Sequence, residues 1–209
     1  MMKIGGETMT PKRRISVNWL IWLQWAFASG FGGALGFTLA DTILDTFGEA
    51  LRSAMAELVI FGLLGATMGI LQWLVLRKHL SQAGWWVAAS AGAGMLIGIG
   101  AAYFSNQVEV NVVIGYALVG VILGMLQWLV LRGQISWSAL WIIASSLGWT
   151  LAVLEVQSLD QLGLMRGLSE TLGIILAFGM AGTMVGIVTG GLLVWLLWQS
   201  SRRAAIAAV

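Results

Sequence analysis

The 209-residue chain is 59% hydrophobic and 10% charged, with a mean hydropathy of +0.90, whereas a soluble domain carries about a quarter charged residues. Cysteine is absent, which excludes disulfides, Cys-ligated zinc and iron–sulfur centres. The net charge of +2 excludes nothing until its distribution is read.

Apolar runs of about 20 residues, enough to cross a hydrocarbon core of about 30 Å, occupy most of the length. Residues 1–14 are polar, contain the only proline, Pro11, and end in Lys12, Arg13 and Arg14. They read as a cytoplasmic tail ahead of a single membrane domain over 15–209. The first span runs from Ile15 or Trp19 to Ala40, too long for the apolar core of a signal peptide. Residues 41–57 break the pattern. Ile43, Leu44, Phe47, Leu51 and Met55 recur at helical spacing, which predicts a short amphipathic helix at the membrane surface. The second span is Leu58–Leu76 and the third runs from about Gly84 to Phe104. After a turn over 105–111, the fourth is Val112–Leu131, and the fifth runs from Trp137 to Leu154. Residues 155–171, with Leu159, Leu162 and Met165, predict a second interfacial helix. The sixth span is Leu172–Trp198. The fold class is therefore all-α integral membrane, with six transmembrane helices and two short amphipathic ones.

Charge sets the expected orientation. Lys3, Lys12, Arg13, Arg14, Arg77, Lys78, Arg132, Arg202 and Arg203 lie on the side of the N-terminus, against Glu7 alone. The opposite side has Arg52 and Arg166 among eight acids: Asp41, Asp45, Glu49, Glu57, Glu109, Glu155, Asp160 and Glu170. Basic residues at span ends stay cytoplasmic, so both termini are expected there.

The chain repeats itself. Gly65, Gly69 and Gln72-Trp73-Leu74-Val75-Leu76-Arg77 return 55 residues later as Gly120, Gly124 and Gln127-Trp128-Leu129-Val130-Leu131-Arg132. Trp86-x-x-Ala89-Ser90 and Trp141-x-x-Ala144-Ser145 share that offset of 55, and Trp25-x-x-Ala28-Ser29 has the same form. The sixth span keeps Gly182 and Gly186 but places Thr189 and Gly190 where the others have Gln-Trp. The unit reads as a helical hairpin present three times, over about 15–76, 84–131 and 137–198. Equivalent helices run in the same direction, unlike the inverted repeats of many secondary transporters.

Small residues four apart let helix backbones approach closely where lipid offers no hydrophobic drive. Gly65, Gly69, Gly120, Gly124, Gly182 and Gly186 are read as packing positions on that ground. Gln72 and Gln127 lie five residues, about 7.5 Å, below the closing arginine, and Gln24 lies at comparable depth. A buried amide needs a partner, and Ser29, Ser90 and Ser145 are candidates, so these residues read first as interhelical glue. The alternative is a polar end to a ligand site formed by Gln24, Trp25, Gln72, Trp73, Trp86, Ser90, Gln127, Trp128, Trp141 and Ser145. Every tryptophan but Trp149 falls in the basic half of its span. An aromatic belt accounts for this first, but belts normally occur at both interfaces, and the one-sidedness points to an aromatic-lined cavity. The loss of Gln-Trp in the sixth span predicts that such a cavity is lopsided, with room where a third tryptophan is missing.

No charged or histidine side chain falls in the middle of a span, where pumps and ion-coupled transporters carry one. No nucleophile with a base, phosphate loop or metal-ligand spacing is present, and His79 stands alone in a turn beside Lys78. The reading is against an enzyme, a bound metal and nucleic acid, and it names no cofactor and no oligomeric state.

The paired Gly-x-x-x-Gly-x-x-Gln-Trp-Leu-Val-Leu-Arg segments, each followed by a Trp-x-x-Ala-Ser helix, resemble an uncharacterised family of polytopic membrane proteins found mainly in photosynthetic bacteria. The resemblance covers about residues 15–198. It implies a repeat-built membrane fold and a bacterial inner or photosynthetic membrane, and it implies no activity. The sequence thus predicts a non-enzymatic membrane protein that meets membrane lipids and binds a hydrophobic ligand (lipid, quinone or carotenoid) or a larger membrane complex. The rivals are a channel or transporter for a small neutral solute, lined by Gln24, Gln72 and Gln127, and a purely structural scaffold.

Overall fold

Chains in hydrocarbon must satisfy every backbone donor and acceptor internally, and continuous apolar runs free of proline do so as helices. The computed structural model describes residues 19–47, 49–104 and 111–207. Six helices account for nearly all of them: α1 (Trp19–Phe47), α2 (Glu49–Leu76), α3 (Trp85–Phe104), α4 (Val112–Leu131), α5 (Leu140–Gln161) and α6 (Glu170–Ala207). All six are long and apolar enough to cross a membrane, and the described residues include no strand. At 1.5 Å per residue α6 is about 57 Å long, well beyond a hydrocarbon core of about 30 Å.

The helices form a closed ring in chain order. Each packs against its neighbours in sequence, and α6 returns to pack against α1. Arg77 and Arg132 mark one end of the ring, here the basic end; the other is the acidic end. Two short turns at the basic end, over 77–84 and 132–139, fold Leu80 and Ile135 inward onto the core. The second turn clamps the first: Gln134 Oε1 accepts from Ser81 N (3.0 Å) and Ser81 Oγ (2.9 Å). Trp137, in the second turn, holds the chain's only non-glycine positive φ among the described residues, at 64°.

Among the described residues the predicted interfacial helices are not separate elements. Residues 41–47 belong to the end of α1 and 49–57 to the start of α2. Thr38, Thr42 and Thr46 lie within α1, each hydroxyl donating to the carbonyl four residues back, at 2.9, 2.8 and 2.7 Å. An amphipathic period specifies a buried face, not the direction of the axis, and Leu44 is buried on an extension of α1. In 155–171, α5 continues to Gln161 and then ends on Gly163, with φ +71°. The Gly163 and Leu164 amides return to the carbonyls of Asp160 (2.9 Å) and Leu159 (3.1 Å), the bond pair of a Schellman stop. Asn111 caps α4, its Oδ1 accepting from Val113 N at 3.0 Å. Residues 1–14 and 105–110 lie outside the described residues.

Close helix approaches use the glycines. A Cβ on Gly65 would run into the Ser90 carbonyl oxygen, on Gly120 into the backbone of Ser145–Ser146, and on Gly182 into the carbonyl of Ser29. One turn on, a Cβ on Gly69, Gly124 or Gly186 would stand 2.8, 3.0 or 2.8 Å from the Cβ of Ser90, Ser145 or Ser29. The glycine pairs of α2, α4 and α6 therefore seat the serines of α3, α5 and α1, in that order.

Candidate functional site

The serines fix what lies beside them. In a Trp-x-x-Ala-Ser helix the tryptophan is one turn from the serine on the same face, so seating one against a glycine pair turns both inward. Trp25, Trp86 and Trp141 are accordingly the largest fully buried side chains among the described residues. They meet in the interior edge to face, with ring centroids 5.6 Å (Trp25–Trp86), 5.8 Å (Trp25–Trp141) and 5.3 Å (Trp86–Trp141) apart. Such T-shaped contacts each add about 0.5–1.5 kcal/mol beyond area burial.

Each indole N–H finds an acceptor on a neighbouring helix. Trp86 Nε1 donates to Gln72 Oε1 at 2.9 Å, and Gln72 Nε2 donates onward to Ser29 Oγ at 2.9 Å. Trp141 Nε1 donates to Gln127 Oε1 at 2.9 Å, and Gln127 Nε2 to Ser90 Oγ at 3.0 Å. One glutamine thus ties three helices, α1–α2–α3 in the first case and α3–α4–α5 in the second. The third station differs. Trp25 Nε1 donates to Thr189 Oγ1 at 3.0 Å, and that hydroxyl donates to Val185 O of its own helix at 2.7 Å. Threonine supplies the acceptor for tryptophan but, unlike glutamine, has no amide N–H to donate onward to a serine.

The layer is filled, not hollow. The lopsided space expected beside Gly190 is occupied: a Cβ there would stand 3.1 Å from the Trp22 ring and 3.0 Å from Trp25. Trp22 is pinned in place by its Nε1 bond to Ile187 O at 2.9 Å.

The candidate ligand set therefore divides. Trp25, Gln72, Trp86, Ser90, Gln127 and Trp141 come together in the interior and are engaged with one another, and Ser145 is buried against Gly124. Gln24 is exposed on the outer face of α1, away from the layer. Trp73, packed against the edge of the core, and Trp128 are only half-buried, since the residue after an inward glutamine is rotated about 100° from it. Arg77 sits 5.4 Å over Trp73 and Arg132 5.7 Å over Trp128, each one turn along its helix. Arg202 repeats the arrangement on α6, 3.9 Å over Trp198. These pairs are suited to the level of lipid headgroups, where a cation and an indole both find favourable surroundings. Among the described residues no cluster of histidine, aspartate and glutamate is built to hold a metal. His79, in the first turn, has its pKa lowered from 6.5 by burial and then by the charge of Lys78.

Comparison with family models, curated proteins and solved structures finds no match to this chain. What the site can do therefore rests on its own geometry.

Sequence reasoning missed one feature of the outer surface. Between α1 and α6 an open groove of about 470 Å³ is lined by Trp22, Leu23, Ala26, Phe27, Gly30, Phe31, Gly179, Thr183 and Ile187. Phe27 and Phe31 are exposed on its flank with rings nearly parallel, at 5° and 5.9 Å. Its polar atoms are already used: the Trp22 N–H goes to Ile187 O and the Thr183 hydroxyl to Gly179 O, at 2.8 Å. The available signal was two phenylalanines one turn apart flanking Gly30.

Proposed function

We propose that this is a non-enzymatic integral membrane protein, built from three repeats, that holds an elongated hydrocarbon ligand in the α1/α6 groove. The observation that carries the reading is the groove itself, aromatic-walled and without an uncommitted polar side chain, beside an interior closed by the tryptophan triad. A lipid chain or carotenoid suits such a lining better than a quinone ring, whose carbonyls need donors. From Trp22 to Phe31 the groove follows nine residues, about 13 Å, close to half of a hydrocarbon core of about 30 Å. With the basic end cytoplasmic, that half is the cytoplasmic leaflet of the inner or photosynthetic membrane.

The glycine–serine contacts support a particular division of the repeat. Its close-packed unit joins an even helix to the odd helix after it, giving α2/α3, α4/α5 and α6/α1, so that the third unit is completed only by ring closure. The rival reading, a path for a neutral solute along the ring axis, has three mutually touching indoles against it, and Gln24 points elsewhere.

The test is to purify the protein in mild detergent and record its absorbance and lipid mass spectra beside those of Thr183→Trp, which fills the groove. Wild type should retain a lipid or pigment that the variant loses. If no lipid-like molecule co-purifies, or both forms retain the same complement, the proposal fails.

A further inference from the structure

The ring has a second space, independent of the groove. Helices α2 to α5 line a partly open cavity of about 30 Å³ on the acidic-end side of the tryptophan layer. Leu64, Ile97, Leu123 and Trp149 form its walls, and Ser90 and Gln127, also in the lining, are bonded to each other at 3.0 Å. A space with so apolar a lining stays dry.

The seam beside it is the thinnest in the ring, the one between α3 and α4. The reason lies in where the glycines point. In α3, Gly94 and Gly98 press onto the α2 backbone at Phe61 and Glu57; in α4, Gly120 and Gly124 press onto α5. Gly92 and Gly100 of α3 have no neighbour within 4 Å. Thus α3 is drawn one way and α4 the other. Both polar ties spanning this seam, Gln127 to Ser90 and Gln134 to Ser81, lie at or near the basic end.

We infer that the α3/α4 seam is a lateral portal, and that the cavity behind it takes the methyl end of a phospholipid acyl chain. Depth favours this occupant. Ser90 lies about 9 Å and Ile97 about 20 Å along α3 from Gly84 at the basic end, so the cavity straddles the mid-plane of a core of about 30 Å. Chain ends collect at the mid-plane, and an apolar void open to them is filled at little cost, because the lining regains the dispersion contacts it lacks.

Trp149 reports on the event. It lines the cavity and is 8% exposed, shielded from lipid unless a chain enters. The protein is reconstituted into phosphatidylcholine vesicles carrying bromine near the chain ends or near the headgroup, and its emission is compared with that of Trp149→Phe. The difference isolates Trp149. Chain-end bromine should remove about half or more of that contribution, and headgroup-proximal bromine much less. Val119→Phe, which narrows the cavity from α4, should restore it, with the near-ultraviolet signal of the tryptophan triad showing that the fold is retained. The inference is overturned if chain-end bromine leaves the Trp149 contribution intact, or quenches it equally in Val119→Phe. Should Val119→Phe not fold, equal quenching by the two bromine positions overturns it just as well. Neither readout depends on the groove, so the two proposals stand or fall separately.

Discussion

Replacing Gln72 with leucine removes a nearly isosteric side chain and two hydrogen bonds, one from the Trp86 indole and one to the Ser29 hydroxyl. Interhelical bonds in membranes average about 0.6 kcal/mol each, which sets a floor of roughly 1.2 kcal/mol for the pair. The greater cost falls on the indole N–H of Trp86, which is 0% exposed and is left with no acceptor and no water; an orphaned buried donor costs about 1–3 kcal/mol. The sum is about 2–4 kcal/mol, or a 30-fold or greater fall in the folding equilibrium. Unfolding of the purified protein in mixed micelles, followed by the near-ultraviolet signal of the triad, measures it. A double-mutant cycle with Trp86→Phe separates the bond from general packing. The combined variant should be less destabilised than the two singles added, by about 1 kcal/mol or more, because removing both partners leaves nothing orphaned. Strict additivity, or a Gln72→Leu protein as stable as wild type, would refute the network.

Gln127→Leu should match Gln72→Leu within about 0.5 kcal/mol in the same assay, since Gln127 joins Trp141 and Ser90 in the same geometry. Among the glycines, Gly65→Ala and Gly120→Ala should each cost about 1–3 kcal/mol, the usual range for overpacking, because the added methyl meets backbone on the facing helix. Gly92→Ala, with nothing within 4 Å of its Cβ, should be neutral or stabilising by up to about 1 kcal/mol; thermal stability in detergent ranks the three. The His79 pKa is lowered in the fold by burial and by Lys78, so the folded state binds fewer protons than the unfolded one below the ordinary value of 6.5. Its contribution should be present above that pH and be lost as pH falls through the lowered folded value. A His79→Gln protein should show a flatter stability profile there, and Lys78→Gln should move the imidazole midpoint, followed by NMR, back upward.

The number and positions of the six helices were legible because hydrocarbon thickness fixes the length of an apolar run and no proline or buried charge interrupts one. The Gln72/Gln127 layer was legible too, because a 55-residue offset with an identical hexapeptide marks equivalent places without any knowledge of packing. Which way each side chain faces was not. In water an amphipathic stripe identifies the inward face, but here lipid and protein interior are equally apolar, and Trp86 and Trp128 look alike in sequence. Only the tertiary structure put Trp25, Trp86 and Trp141 inside and left Trp73 and Trp128 half-buried, by seating Ser29, Ser90 and Ser145 against glycine pairs on the adjoining helix. It alone closed α6 onto α1, which let Thr189 accept the Trp25 N–H and let Trp22 fill the space beside Gly190. Composition and repeat length are properties of the chain taken one helix at a time; the filled layer, the α1/α6 groove and the thin α3/α4 seam arise from helices meeting, and come into being only when the ring closes.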